Sequence, residues 1–291
     1  MYKAIAANKR NTVLIMAVFI GIVTAIGYVL SALYGETSIT LYVLIGVTIY
    51  ALIQYFAAGK LAVAMTGAKE IEKRDNPRLY RTVENLAITL GMPTPKVYII
   101  DDSAPNAFAT GRDPKHAVVA ATTGLLEVMS DRELEAVMAH EMGHVQNYDI
   151  RVSMIAFGLV SAIGLLADIA LRMLFFGDRR DSNMHPAVLI VGIVVIVLAP
   201  IIAAIVQMAI SRQREYLADA TGAMTTRDSE GLAMALEKLQ KFGGPARQQH
   251  SSTAHLYISN PLRAGFFTKL FSTHPPLEDR INRLRKNADK F

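Results

Sequence analysis

The segment most able to carry out chemistry is the H-E-x-x-H run that begins at His140. Ser130 is a suitable helix N-cap and Glu133 follows three residues later, so the pattern predicts a helix that contains this run. On a helix, His140 and His144 lie one turn apart and project from the same face, where two imidazole rings can bind one Zn²⁺ ion. Glu141 lies beside them, where its carboxylate can accept a proton from an attacking water molecule.

A second pair of acidic residues could complete this metal site. Glu215 and Asp219 are also one helical turn apart. A catalytic zinc ion usually has three protein ligands and one open position, so Glu215 would complete a set of two histidines and one carboxylate. Asp219 would orient a ligand histidine through its second ring nitrogen. The alternative is that both residues belong to a solvated helix face shared with Arg212 and Arg214.

Two other features have a functional and an ordinary interpretation. His274, which precedes two prolines, is either a loop residue or a hydrogen-bond donor to the developing oxyanion. The apolar run Asn106, Ala107, Phe108 and Ala109 predicts a strand. That strand is either an ordinary one or the sheet edge on which an extended substrate pairs through backbone hydrogen bonds.

The composition limits the classes of protein that fit. Of the 291 residues, 52% are hydrophobic, and the mean hydropathy is +0.29, which indicates membrane spans. No cysteine is present, so disulfides, a catalytic thiol and thiolate metal ligands are excluded. The net charge of +5 is spread along the chain, without a basic block interleaved with aromatic residues. Nucleic acid is therefore not an expected partner.

The first 59 residues predict a transmembrane hairpin. Residues 11–35 and 37–59 contain no charged side chain and are separated only by Glu36, and each stretch is long enough to cross a bilayer as a helix. Basic residues lie before the first stretch and after the second, beginning with Lys60, and none lies in the turn. This charge distribution predicts that both ends of the hairpin are cytoplasmic.

Residues 152–211 predict a second hairpin, with spans over about 152–176 and 186–211. Asp168 and Arg172 interrupt the first of these spans and can pair on one helix face. The two histidines precede this hairpin and Glu215 follows it. If all three bind one metal ion, both ends of the hairpin lie on the same side of the membrane, so the hairpin must cross the membrane twice or not at all. The arginines near its turn would then lie outside, against the positive-inside rule. A hairpin that enters the membrane only partly therefore remains an alternative.

The two polar parts predict one cytoplasmic unit of α+β class that is mainly helical. Within residues 60–151, an amphipathic helix is followed by three strands, over about 96–100, 106–111 and 117–121, and then by the H-E-x-x-H helix. We expect these strands to form a small antiparallel sheet. Residues 212–291 are helical in pattern and carry the third candidate ligand. The complete prediction is this unit together with four transmembrane helices.

The order of motifs closely resembles the HtpX-type membrane metallopeptidases, bacterial relatives of the CAAX prenyl endopeptidases. The motifs are PNAFATG, HEMGH, SRQREYLAD and THPPLEDRI. The resemblance implies a zincin-like core with one Zn²⁺ per chain, bound by His140, His144 and Glu215, and with Glu141 catalytic. It also implies a cytoplasmic catalytic domain on the bacterial inner membrane. The implied role is cleavage of misfolded or damaged membrane proteins under stress, with unfolded proteins as further substrates.

Two other functions fit the motifs less well. A CAAX-type prenyl-protein endopeptidase would share the chemistry, but the small number of predicted spans argues against it. A non-enzymatic membrane protein that binds or transports metal should carry its ligands within apolar helices, whereas His140 and His144 lie in an amphipathic segment of soluble type. A homo-oligomer is compatible with each of these functions.

Overall fold

The structure is a computed structural model in which residues 2–155, 158–159, 162, 212–244, 257–258 and 275–290 are described. The chain divides into two compact units. The first comprises Met1–Lys9, Gly59–Met154 and Ile210–Phe291, and the second comprises Arg10–Ala58 and Ile155–Ala209.

The described part of the second unit consists mainly of two long apolar helices. Helix α1 spans Tyr2–Tyr34 and begins in the first unit, and helix α2 spans Ser38–Met65. Gly35 turns the chain between them with a left-handed φ of 69°. Many of their large apolar side chains are exposed, and both helices are long and apolar enough to cross a membrane.

These two helices overlap the predicted spans 11–35 and 37–59; α1 begins well before the first span, and α2 continues a few residues beyond the second. The other two predicted spans, over 152–176 and 186–211, lie almost entirely outside the described residues. The described residues therefore support two candidate spans and not four.

The first unit is built on a four-stranded sheet with the order β1-β2-β4-β3. The strands are β1 (Lys69–Glu70), β2 (Lys96–Ile100), β3 (Ala107–Thr110) and β4 (Val118–Thr122). Strands β1 and β2 are antiparallel, as are β3 and β4, but β2 and β4 are parallel. The prediction of an antiparallel sheet is therefore wrong, because the sheet is mixed, and β1 was not predicted.

The mixed topology has a local cause in the connection between β2 and β3. Thr122 Oγ1 accepts a hydrogen bond from the Asn106 backbone N–H at 2.9 Å and donates to the Ala104 carbonyl at 2.8 Å. Thr123 Oγ1 donates to the Asp102 carbonyl at 2.9 Å. These bonds hold the connection across the end of β4. Strand β3 is thus placed on the far side of β4, and β2 pairs with β4 in parallel.

Helices surround this sheet and enclose the core. They are α3 (Pro77–Leu90), α4 (Thr123–Val128), α5 (Asp131–Gln146), α6 (Arg212–Thr226), α7 (Ser229–Phe242) and α8 (Leu277–Lys286). Helix α5 is central, since it packs against α3, α6, α7 and β3. Its residues Leu134, Val137 and Met138 are fully buried in the main hydrophobic cluster. The helix that carries the H-E-x-x-H run is therefore held rigidly by the core.

Candidate metal centre

Helix α5 begins with the predicted capping box and presents both histidines near its end. Ser130 Oγ accepts from the Glu133 backbone N–H at 3.4 Å, and the Ser130 backbone N–H donates to Glu133 Oε2 at 2.7 Å. The rings of His140 and His144 are nearly perpendicular, with their centroids 4.8 Å apart. Their Nε2 atoms face each other at 3.2 Å. The Nε2 atoms of both histidines thus point to the same location.

Two glycines allow α6 to approach α5 closely enough to bring Glu215 to this point. A Cβ atom added at Gly222 would lie 3.0 Å from the backbone nitrogen of His140. One added at Gly143 would lie 3.3 Å from Thr221 Cβ. Side chains at these positions would push the helices apart, so the contact between α5 and α6 depends on both glycines.

The three predicted ligands form a cluster of suitable size for a metal ion. The Glu215 carboxylate lies 3.5 Å from His144 Nε2 through Oε1 and 3.9 Å from His140 Nε2 through Oε2. One ligand atom from each of the three residues can be chosen so that all lie within 4.8 Å of one another. Tetrahedral zinc with bonds of about 2.0–2.1 Å separates its ligand atoms by roughly 3.3 Å. The observed separations are close to this value, so these residues fit a zinc ion.

A carboxylate contacts the second ring nitrogen of each histidine. His140 Nδ1 is 2.9 Å from Asp219 Oδ1, and His144 Nδ1 is 3.1 Å from Asp149 Oδ2. A carboxylate at Nδ1 keeps the proton on that nitrogen, so that the lone pair of Nε2 points to the centre. The structure thus places Asp219 beside His140, and it places Asp149, which was not predicted, beside His144.

A buried arginine, Arg280 on α8, joins the acidic side of the centre. Its side chain is fully buried and forms a two-point contact with Asp219 through Nε at 2.9 Å and Nη2 at 2.7 Å. Its Nη1 atom lies 3.5 Å from Glu215 Oε2. Nη2 is also 3.4 Å and 3.3 Å from the two ring nitrogens of His140. These last distances are long and nearly equal, so Arg280 is aligned with neither nitrogen of that ring.

The charges among the described residues at the centre favour a divalent cation. The buried acidic side chains are Glu141, Asp149, Glu215 and Asp219. The guanidinium groups that contact these carboxylates at the centre belong to Arg280 and to Arg214, whose Nε lies 3.6 Å from Asp149 Oδ1. Within the described part of the chain, four carboxylates face these two guanidinium groups, a surplus of two negative charges when both histidines are neutral. A bound divalent ion would neutralise them.

The same carboxylates perturb the acidities of the centre. Burial acts to lower the pKa of His144, but the hydrogen bond with Asp149 and the charges of Glu215, Asp149 and Glu141 outweigh it and raise this pKa to about 9. Burial acts to raise the pKa of Asp219, but Arg280 and His140 lower it to about 2. A site that favours a proton on His144 so strongly also favours a metal cation at its Nε2 atom.

Strand β3 is one of the two edge strands of the sheet and packs against α5. The Asn106 carbonyl accepts from the Thr122 N–H of β4, so the backbone groups of Ala107 and Ala109 face away from β4. The Ala107 carbonyl accepts from the Ile258 N–H at 3.0 Å. An antiparallel bridge also joins Phe108 to Tyr257, so the predicted substrate edge is already paired with the chain itself at Phe108.

One predicted site residue lies outside the described part of the chain, and two residues at the centre were not predicted from the sequence. His274 lies outside the described residues, so its proposed role stays a prediction. Asp149 and Arg280 were not predicted as site residues. Asp149 follows His144 by five residues, which is not a helical repeat, and Arg280 lies 61 residues beyond Asp219. Asp149 carries no local sequence signal, whereas Arg280 lies within the THPPLEDRI motif, which would have been the place to look for it.

Comparison with known proteins identifies the family of this chain. The model of Peptidase family M48 matches residues 73–288. The Protease HtpX homolog of Tropheryma whipplei (strain Twist) is 57% identical over 291 residues, covering 100% of both chains. The Protease HtpX homolog of Streptococcus pneumoniae (strain ATCC BAA-255 / R6) is 44% identical over 298 residues, covering 98% of this chain and 99% of the relative.

A solved structure shares the fold. The crystal structure of S. mikatae Ste24p superimposes with a TM-score of 0.54 at 19% identity, covering 98% of this chain and 67% of that chain. The family match includes strands β2 to β4, the H-E-x-x-H helix and the helix that supplies Glu215. The chain therefore belongs to peptidase family M48 and is a metallopeptidase of the HtpX type.

Proposed function

We propose that this metallopeptidase is a zinc-dependent endopeptidase of the bacterial inner membrane. It cleaves misfolded or damaged membrane proteins on the cytoplasmic side, as a quality-control enzyme of the stress response. The observation that carries the proposal is the pair of facing Nε2 atoms of His140 and His144, 3.2 Å apart, with Glu215 beside them. Two neutral imidazoles and one carboxylate leave a bound Zn²⁺ with net positive charge. The ion would then polarise the peptide carbonyl and acidify water.

Glu141 is the proposed general base. Its side chain is only 2% exposed, and its charge acts on both His144 and Arg280, which lie at the centre. In this position Glu141 accepts the proton of the attacking water and passes it to the leaving amine. His274 is proposed as a hydrogen-bond donor to the developing oxyanion.

The substrate is proposed to bind as an extended strand beside β3. The Ala109 carbonyl faces away from β4 and lies beyond the bridge that joins Phe108 to Tyr257, so it can accept a hydrogen bond from such a strand. Backbone pairing does not depend on the substrate side chains, which suits an enzyme that cleaves unfolded segments of many proteins.

The membrane location and the cytoplasmic orientation are supported by the first two helices. Both are long and apolar enough to span a bilayer, and basic residues such as Lys9 and Lys60 lie at the outer ends of the hairpin. The positive-inside rule then places both ends in the cytoplasm. The catalytic segments are continuous with these ends, so we propose that cleavage takes place on the same side.

The decisive test is hydrolysis of an unfolded model protein by the purified full-length chain. The enzyme is stripped with a chelator and then given zinc, for the wild type and for Glu141→Gln. We expect activity to return with zinc only in the wild type, with a loss of about 10²–10⁴-fold or more in the variant, because a general base is removed. Glu141→Gln should still bind one zinc ion per chain. Glu135→Gln, an exposed position on the same helix, is the matched control.

Two outcomes contradict the proposal in different ways. If neither protein hydrolyses the substrate although both bind zinc, the chain is a metal-binding or transport protein. If Glu141→Gln retains the activity of the wild type, Glu141 is not the general base and another group must accept the proton.

A further inference from the structure

The start of helix α1 contributes a side chain to the support of the metal centre. Asn8 is 5% exposed and belongs to the same compact unit as the H-E-x-x-H helix. Its Nδ2 atom donates to Asp149 Oδ1 at 2.7 Å and to the Asn147 carbonyl at 2.8 Å. Both acceptors are oxygens that cannot donate, so the amide must present its NH₂ group to them, and each of its two hydrogens has an acceptor.

Asp149 connects Asn8 to a metal ligand. One carboxylate oxygen of Asp149 accepts from Asn8, and the other contacts His144 Nδ1 at 3.1 Å. Arg214 also approaches Asp149, but its Nε atom is 3.6 Å away, beyond the length of a good hydrogen bond. The Asn8 amide therefore provides the shortest contact that fixes the rotation of this carboxylate.

The backbone that carries Asp149 needs such support. Tyr148 has a left-handed φ of 61°, which is unfavourable for a residue with a side chain, and it turns the chain so that Asp149 folds back onto His144. Asn8 holds the carbonyl of Asn147, immediately before this turn. The ammonium group of Lys9 lies 4.6 Å from the centre of the Tyr148 ring. Consecutive residues of α1 thus hold the strained turn and the carboxylate that follows it.

We propose that Asn8 is a positioning residue of the metal centre, which acts through Asp149 to fix the ring of His144. The inference rests on the proposed zinc site. It assigns the first turns of α1 a role in metal binding, although that helix is also a candidate membrane span over Lys3–Ala32. The groups that contact Asp149 affect metal binding by His144, because they hold the Asp149 carboxylate in contact with Nδ1 of that ring.

The test is zinc affinity of the full-length protein in detergent, measured by competition with a chromophoric chelator. Asp149→Asn should weaken zinc binding by about 10–100-fold. Asn8→Ala should weaken it by less, about 3–10-fold, because one further residue intervenes. Asn8→Leu keeps the shape of the side chain but removes both donor hydrogens, so it should lose as much affinity as Asn8→Ala. Asn11→Ala removes the same side chain one turn further along α1 and should stay within about twofold of the wild type.

The double variant Asn8→Ala/Asp149→Asn separates positioning from general stability. If Asn8 acts through Asp149, the double variant should bind zinc no more than about twofold more weakly than Asp149→Asn alone. Thermal midpoints of the metal-free proteins, followed by far-UV circular dichroism, show whether each variant is folded.

Three results would overturn the inference. They are wild-type affinity in Asn8→Leu, fully additive losses in the double variant, or a lowered thermal midpoint in Asn8→Ala with unchanged zinc affinity. A wild-type protein that binds no zinc would overturn the proposed function as well. Tight zinc binding in the wild type and in both Asn8 variants would overturn only the role of Asn8.

Discussion

The distance between α5 and α6 at the metal centre depends on Gly222, and Gly222→Ala tests this directly. The added Cβ would lie 3.0 Å from His140 N, 3.2 Å from His140 Cα and 3.4 Å from Ala139 C. All three are backbone atoms, which cannot rotate away. Non-bonded carbon atoms prefer about 3.5–4.0 Å, so the two helices would have to separate by roughly 0.5 Å.

Two opposing effects set the change in stability. Alanine is favoured over glycine in a helix by about 1 kcal/mol. Overpacking at a tight contact costs about 1–3 kcal/mol. We expect the clash to outweigh the helix preference at Gly222 and to lower the free energy of unfolding by about 1 kcal/mol. For a chain of this size the thermal midpoint should fall by about 2–4 °C.

The effect on the metal centre should be larger than the effect on stability. Glu215 lies on α6 two turns before Gly222, so a shift of α6 moves its carboxylate away from His140 and His144. Metal sites must be held to within about 0.5 Å of the binding geometry. A displacement of this size should weaken zinc binding by about tenfold, comparable to the loss of a group that orients a ligand.

The measurements are the thermal midpoint by far-UV circular dichroism and zinc affinity by chelator competition. The chain has no tryptophan, so dichroism is the more suitable signal. Gly46→Ala is the control, because a Cβ added there meets no atom within 4 Å. If Gly222→Ala matches the wild type in both quantities, the close approach does not set the helix spacing. A lower midpoint with unchanged affinity would show that the displacement does not reach Glu215.

Two further predictions concern buried charges. Arg280→Met should lower the free energy of unfolding by about 3–5 kcal/mol, because Asp219 would remain buried without its guanidinium partner. In urea denaturation, the double variant Arg280→Met/Asp219→Asn should recover part of this loss. A double variant that is no more stable than Arg280→Met would refute the argument. Burial acts to raise the pKa of Glu133, but its bonds with Lys238 and Ser130 lower it overall, so its contribution to stability is present above about pH 4.3 and is lost as the pH falls through the lowered value. The free energy of unfolding of the wild type should exceed that of Glu133→Gln by about 1–2 kcal/mol at neutral pH, and this difference should shrink in acid. A difference that does not change with pH would contradict this reasoning. So would a difference equal to that of the exposed control Glu135→Gln.

Elements with local signals could be predicted with nearly correct bounds. Helix α3 is capped by Asn76, whose side chain accepts from Leu79 N–H, and ends at Gly91 with a φ of 62°. Helix α8 spans Leu277–Lys286 and begins directly after two prolines, within the part of the sequence that is helical in pattern. In each case the signal lies within one or two turns of the element that it specifies, because capping and helical periodicity are interactions between near neighbours.

In the sheet, local sequence signals predict the strands but not the order in which they pair. The three longer strands were each predictable from their apolar residues and from the turn that begins at Gly111, which has a φ of 135°. The order of these strands in the sheet was not predictable, because β2 could pair with either of the other two strands with the same sequence of apolar residues. The bonds of Thr122 and Thr123 to the connection place β2 beside β4.

The sequence by itself determined the chemistry of this protein, since the spacing of His140 and His144 on a helix fixes their common face and the absence of cysteine leaves only histidine and carboxylate ligands. Only the tertiary structure decided which distant side chains hold those ligands in place. Asp149 needs the left-handed Tyr148 to reach His144, and Asn8 reaches Asp149 from 141 residues away. The physical reason is that periodicity acts between neighbours in sequence, whereas the partners of a buried charge are chosen by packing between distant segments.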